Sequence, residues 1–212
     1  LLQQYSTPAP MAYMMGVYVA SGTGLAARLG SVKKGGRFTK NHFRPTPAAN
    51  TAKPWPTPQR PPAFFEPSAG NGLLTIAIPP EYWDVNEIDE TRRANLEQQG
   101  YNQVTAHNAA DPLIFDIEPR KYDGVITNPP FGRLDEPVKT GGFLLDDLDH
   151  VMAAYALECM KNTGRAAIIT GGHITFDEKT GRIKQQGDKG GNRNFYNFLY
   201  HNYNVEDILY IN

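Results

Sequence analysis

The stretch of this chain with the clearest chemical meaning is Asn128-Pro129-Pro130-Phe131. An asparagine carboxamide oxygen and a proline carbonyl are neutral acceptors. Together they can hold both hydrogens of a planar amine, keep its lone pair out of conjugation and aim it at an electrophile. No strong base is needed, because the amine loses its proton after it has attacked. The prolines hold the acceptors rigidly, which is catalysis by orientation. The ring of Phe131 offers a face on which an extruded base can stack. The competing reading is a plain Asn-Pro turn, although Asn-Pro-Pro-aromatic directly after a buried strand is the rarer pattern.

Three further stretches have the residue types of a nucleoside site. Glu66-Pro67-Ser68-Ala69-Gly70-Asn71-Gly72 is a small-residue loop in which glycine lets backbone approach a ligand closely. Its alternative is a bare turn between strand and helix. Glu87 follows Gly70 by 17 residues, a spacing at which an acid can accept hydrogen bonds from two ribose hydroxyls. Asp111, in Asn108-Ala109-Ala110-Asp111-Pro112, either accepts from an adenine amine or forms an Asx turn before Pro112.

These stretches can cooperate only if the chain brings them together, and the intervening pattern predicts how. AFFE (63–66), YWDVNEI (82–88), NQVTAHN (102–108), KYDGVIT (121–127) and RAAIIT (165–170) read as strands. LLTIAI reads as a short helix, ETRRANLEQQ as an amphipathic helix ended by Gly100, and DHVMAAYALECMK as a helix closed by Gly164. FYNFLYHNY is a last helix and VEDILYI a last strand. Strand alternating with helix predicts a parallel, doubly wound α/β sheet. Such a sheet binds ligands beyond the carboxyl ends of its strands, where all four stretches fall.

Upstream, Tyr5-Ser6-Thr7-Pro8 before an apolar run predicts a helix with Ser6 or Thr7 as N-cap. The run PMAYMMGVYVA is too short to span a bilayer and lacks the basic flank of a signal peptide. The chain does not begin with Met, which suits a fragment. Residues 21–62 are rich in Gly and Pro and are expected to form a loop or disordered insertion. They carry eight basic residues, from Arg28 to Arg60, and no acid. Elsewhere 13 basic residues face 22 acidic ones, a net −9, so one basic segment is attached to an acidic body. A single cysteine, Cys159, excludes an internal disulfide framework and suits a reducing cytoplasm; its helical apolar setting predicts a buried small hydrophobe.

Several features argue against other chemistries. Ser21-Gly22-Thr23-Gly24-Leu25 after VYVA imitates a cofactor loop, but no acid follows it before Glu66. No P-loop signature occurs, and the histidines and Cys159 lack metal-ligand spacing, so no metal is expected. Asp146, Asp147 and Asp149 read as a solvated helix start.

Taken together, PSAGNG, NEID, NAAD and NPPF resemble the motifs of S-adenosylmethionine-dependent amino-methyltransferases of DNA, chiefly the N6-adenine enzymes. EPSAG is similar to the form in restriction-type adenine methylases and in methylases of mobile elements, and QQYSTP at 3–8 resembles the family's N-terminal element. The resemblance covers residues 1–20 and 63–212, with 21–62 as an insertion between N-terminal helix and catalytic core. It implies a Rossmann-like fold and S-adenosylmethionine as cofactor. Thr7, Glu66 and the loop Pro67, Ser68, Ala69, Gly70, Asn71 and Gly72 would hold the methionine part. Glu87 would bind the ribose, Ile88 would pack on the adenine and Asp111 would bind its amine. Asn128 and Pro129 would grip the target amine, supported by Pro130, and Phe131 would stack on an adenine flipped from double-stranded DNA.

The chain departs from that family in two ways. The basic insertion interrupts a connection that is normally short. The final antiparallel strand and a target-recognition region are not evident, so recognition would lie in missing sequence or on another chain. NPPF also suits RNA guanine N2, with DNA cytosine N4 and protein glutamine as further amine targets. A non-catalytic cofactor- or DNA-binding module of a larger restriction or helicase assembly is the alternative from another class.

Overall fold

The computed structural model describes residues 7–23, 25, 61–111, 120–171, 175–176, 183–184 and 191–209. Its centre is a five-stranded sheet made of β1 (Phe64–Glu66), β2 (Trp83–Asn86), β3 (Gln103–Thr105), β4 (Tyr122–Thr127) and β7 (Met160–Ile168). The order is β3-β2-β1-β4-β7, and every neighbouring pair is parallel. The chain winds outward from β1 through β2 to β3, then returns to β4 on the other side of β1. The strand order therefore reverses between β1 and β4, which opens a crevice at their carboxyl ends. This is the doubly wound, Rossmann-like arrangement that the alternating pattern predicts.

Adjacent side chains on the central strands point to opposite faces, and each face has its own core. Phe64 and Ile126 pack on one face with Val19 and Ala20 of α1 (Ala9–Ala20) and Leu96 of α2 (Glu90–Glu97). Phe65 and Val125 pack on the other with Val151, Ala154 and Tyr155 of α3 (Leu148–Glu158) and Phe195 and Phe198 of α4 (Gly191–Asn202). Helices on both sides explain why β1 and β2 are buried throughout instead of alternating in and out. Phe65 stacks on Tyr122 at 4.8 Å, tying β1 to β4 beneath the crevice.

Several elements differ from the sequence expectation. Residues 73–78 form only a single 3-10 turn, Leu73–Thr75. α3 ends at Glu158, and the residues expected to finish it begin β7 instead. The Tyr122 N–H donates to the Cys159 carbonyl at 3.1 Å, and Met160 pairs with Tyr122, so a free edge of β4 overrides helical propensity. An unpredicted antiparallel hairpin, β5 (Arg133–Thr140) with β6 (Phe143–Asp147), joins the NPPF stretch to α3. Its turn is Gly141-Gly142, both with positive φ, a two-residue hairpin signal present in the sequence. A short pair, β8 (Thr175–Phe176) and β9 (Ile183–Lys184), follows β7.

VEDILYI does not form a last strand among the described residues: 205–209 pair with no strand, although Glu206 comes within 3.9 Å of Arg165 on the edge strand β7, and 210–211 lie outside the description. Ser6 and the eight basic residues of 21–62 also lie outside it. Residues 21–23 form the turn that ends α1, so VYVA is helical and Ser21-Gly22-Thr23 follow a helix instead of a strand. No described helix is long and apolar enough to cross a membrane.

Candidate functional site

The crevice between β1 and β4 is walled by the segments that leave those strands. β1 ends in Glu66, and the chain turns through Pro67–Gly72, with Gly70 and Gly72 at φ 58° and 85°. That left-handed backbone is open to glycine at little cost. β4 ends in Thr127, followed by Asn128 and the two prolines. The walls meet where the Ser68 hydroxyl lies 3.0 Å from the Thr127 hydroxyl.

Thr7 joins the same place from the far N-terminal side. It is buried, and its hydroxyl accepts from Asn128 Nδ2 at 3.0 Å. Thr7 is therefore not the cap of α1; Pro8 occupies that position without a side-chain bond, and its carbonyl accepts from Met11 and Ala12. The bond has a chemical consequence. Because the amide nitrogen of Asn128 turns toward Thr7, its oxygen occupies the opposite end of the carboxamide, the end an amine would need. Pro129 is buried, while Asn128, Pro130 and Phe131 are half-buried.

Glu87 lies just beyond β2 and is buried. Its Oε2 accepts from the Gly70 N–H at 2.8 Å and its Oε1 from the Asp89 N–H at 2.9 Å. The acid thus grips the glycine loop. Asp89 in turn caps α2 by accepting from the Arg92 N–H. Ile88 is 63% exposed, an apolar side chain presented at the strand end. Asp111 belongs to the turn beyond β3, where its N–H donates to the Asn108 carbonyl. The Asx turn there is made by Asn108, whose side chain accepts from Ala110.

Asn86 carries no role in the sequence reading, yet its carboxamide links three strand ends. It donates to the carbonyls of Pro67 and His107 and accepts from the Thr105 hydroxyl and the His107 N–H, each at 2.8–2.9 Å. A buried asparagine at a strand end is the available signal, but its partners come from two other segments, the loop after β1 and the end of β3.

Glu66 is fully buried. Oε1 accepts from the Ser68 N–H and hydroxyl at 3.2 Å, whereas Oε2 is buried with no hydrogen-bond partner among the described residues. Burial pushes this carboxyl up to about 8, against the Ser68 and Thr127 hydrogen bonds that lower it.

The expected solvated acidic cluster is corrected on the NPPF side. Asp149 is 3% exposed and accepts from the Gly171 N–H at 2.8 Å. Burial raises its pKa, while neighbouring His150 opposes the rise. The helix start is covered by the loop after β7, and Gly171 also lies against the Phe131 ring. Asp146 pairs with Arg133 at 2.7 Å. Among the described residues no three His, Cys, Asp or Glu side chains converge as metal ligands. Cys159 is fully buried, and burial pushes its thiol up to about 12.

No protein-family model matches this chain, and no curated protein sequence matches it. Among solved structures it is similar to the methyltransferase subunit of a type I restriction-modification system from Streptococcus thermophilus. The TM-score is 0.47 at 16% identity, over 74% of this chain and 32% of that one. The chain spans about a third of the length of that subunit.

Proposed function

We propose that this chain binds S-adenosylmethionine across the carboxyl ends of β1, β2 and β3 and methylates the N6 amine of an adenine in DNA. The observation that carries this reading is the meeting of the two walls. Thr7 holds Asn128, and Ser68 touches Thr127, so the small-residue loop and the NPPF stretch lie within hydrogen-bond reach of each other.

The residues fit the cofactor. Glu66 keeps an unpartnered buried oxygen beneath the loop, suited to the cationic methionine end. The oxygens of Glu87 each hold one amide hydrogen and retain lone pairs for ribose hydroxyls. Ile88 offers apolar surface to the adenine. Bound there, S-adenosylmethionine would supply an electrophilic methyl group. Asn128 Oδ1 and the Pro129 carbonyl would accept the two amine hydrogens and orient the nitrogen lone pair. Phe131 would receive the base, whose extrusion from the duplex costs roughly a few kcal/mol. The basic segment 21–62 would add sequence-independent attraction to phosphates that weakens with salt, and recognition of a sequence would fall to another region or chain.

Titration with S-adenosylmethionine should show binding, and no detectable binding would sink the reading. Transfer of labelled methyl groups to adenine-containing DNA should fall about 100-fold or more in Asn128→Ala while cofactor affinity survives. Mass spectrometry of the modified nucleoside identifies the amine. Labelled RNA or protein in place of N6-methyladenine would transfer the assignment to another acceptor.

A further inference from the structure

The unsatisfied carboxyl of Glu66 has a consequence beyond holding a ligand. Among the described residues no cation forms an ion pair with it, and Arg92 and Arg93 of α2 are the basic side chains of the neighbouring helix. α1 and the turn at 73–75 carry no acidic or basic side chain. β2 brings Asp84, bound to Lys121 and the Tyr122 hydroxyl, and the loop after it brings Glu87, a second acid. Arg93 of α2 reaches the backbone carbonyls of Glu87 and Ile88. The approach to β3 brings the Tyr101 hydroxyl, bonded to Thr75. β4 brings the Thr127 hydroxyl and, at its other end, Asp123 bound to Lys161. Exposed His107 lies beyond β3.

A bare carboxylate in this setting has lost its hydration with one oxygen uncompensated. A proton on Oε2 removes the charge and with it most of the penalty of burying it. The ionised form is left short of a donor on Oε2 until a ligand supplies one.

We propose that Glu66 carries a proton in the empty chain near neutral pH and gives it up to solvent when the cofactor's cationic ammonium group arrives, so that cofactor capture releases one proton. The inference rests on the S-adenosylmethionine reading above. Its balance is simple: the carboxyl O–H bond breaks heterolytically, the proton passes to buffer, and the ammonium charge and N–H donors take its place with no change of oxidation state. The upward displacement of the Glu66 pKa by burial, with Glu87 adding to it, runs in the same direction. The device selects for a positive charge at the amino-acid end of the ligand.

Titration calorimetry in buffers of different ionisation heat counts the released protons. At about pH 6.5 an α-ammonium group remains charged, so any release comes from the protein. S-adenosylmethionine and S-adenosylhomocysteine should each release about one proton from the wild-type chain and none from Glu66→Gln, whose amide mimics the neutral acid. Binding without release, or the same release from Glu66→Gln, overturns the inference and leaves the cofactor reading intact. Absence of any binding overturns the cofactor reading and the proton exchange with it. Carbon-13 NMR of the side-chain carboxyls in the ligand-free chain gives an independent check, because an ionised Glu66 at about pH 6.5 overturns the proposal whatever the ligand does.

Discussion

Glu66 and Glu87 stand at the carboxyl ends of adjacent parallel strands, and both are buried, yet their surroundings differ. Glu87 faces two backbone N–H groups, one from the glycine loop and one from the start of α2, so each oxygen has a donor. On Glu66 the Ser68 N–H and hydroxyl both reach Oε1, the Thr127 hydroxyl adds a weaker contribution to the carboxyl, and Oε2 has no donor within hydrogen-bond distance. Burial alone does not decide how an acid behaves; the supply of donors does. The loop after β2 satisfies both oxygens of its acid, whereas the end of β1 leaves one oxygen of its acid without a donor.

The largest test of this contrast is the pH dependence of stability. The Glu66 carboxyl is raised from its ordinary 4.5 to about 8 in the folded chain. The folded state then holds a proton that the unfolded state has released, so this group's contribution falls as pH rises between those values and is flat above. The change amounts to on the order of 5 kcal/mol at most. Denaturant unfolding across that range should show the decline, and Glu66→Gln should flatten it, being more stable than wild type at the alkaline end. The same slope in both proteins would break the contrast.

Glu87→Ala probes the other side. It leaves the Gly70 and Asp89 N–H groups without their acceptor, costing roughly 3 kcal/mol of unfolding free energy and most of the cofactor affinity. Denaturant midpoints and cofactor titration measure the two losses. A stable variant that binds cofactor normally would show that the grip on the glycine loop is incidental.

Asp149 is another buried acid, and it accepts from the Gly171 N–H. Asp149→Asn keeps an acceptor and should cost little, whereas Asp149→Ala should cost about 1–3 kcal/mol. Equal losses would mean that charge, not the Gly171 bond, is what matters there. The smallest effect belongs to the Arg133–Asp146 pair. Arg133 is 71% exposed, so Arg133→Ala should alter stability by less than about 0.5 kcal/mol. A larger loss would make the hairpin an electrostatic anchor for the NPPF stretch.

The sheet was legible because buried parallel strands write a plain signal. Phe64-Phe65-Glu66 and Gly124–Thr127 are short apolar runs ending in polar residues, and the helices between them fix the direction of winding. The hairpin at 133–147 was missed although Gly141-Gly142 marks it, since its exposed strands carry no strong alternation. The end of α3 was misplaced because Cys159-Met160-Lys161 suit a helix locally, and only the neighbouring edge of β4 draws Met160 and Lys161 into a strand. VEDILYI shows the reverse case: its pattern suits a strand, but no described neighbour pairs with it.

The sequence by itself determined which residue types sit at the strand ends, because periodicity and turn chemistry are local. Asn128 and its prolines, the glycine loop and Glu87 at its spacing were all readable in that way. Only the tertiary structure decided which of these groups touch. It placed Thr7 on Asn128 across more than a hundred residues of chain, set Ser68 against Thr127, and gave Asn86 partners from the ends of both neighbouring strands. It also decided the state of Glu66, since the loss of water around a carboxyl and the donors left to replace it depend on packing from every side.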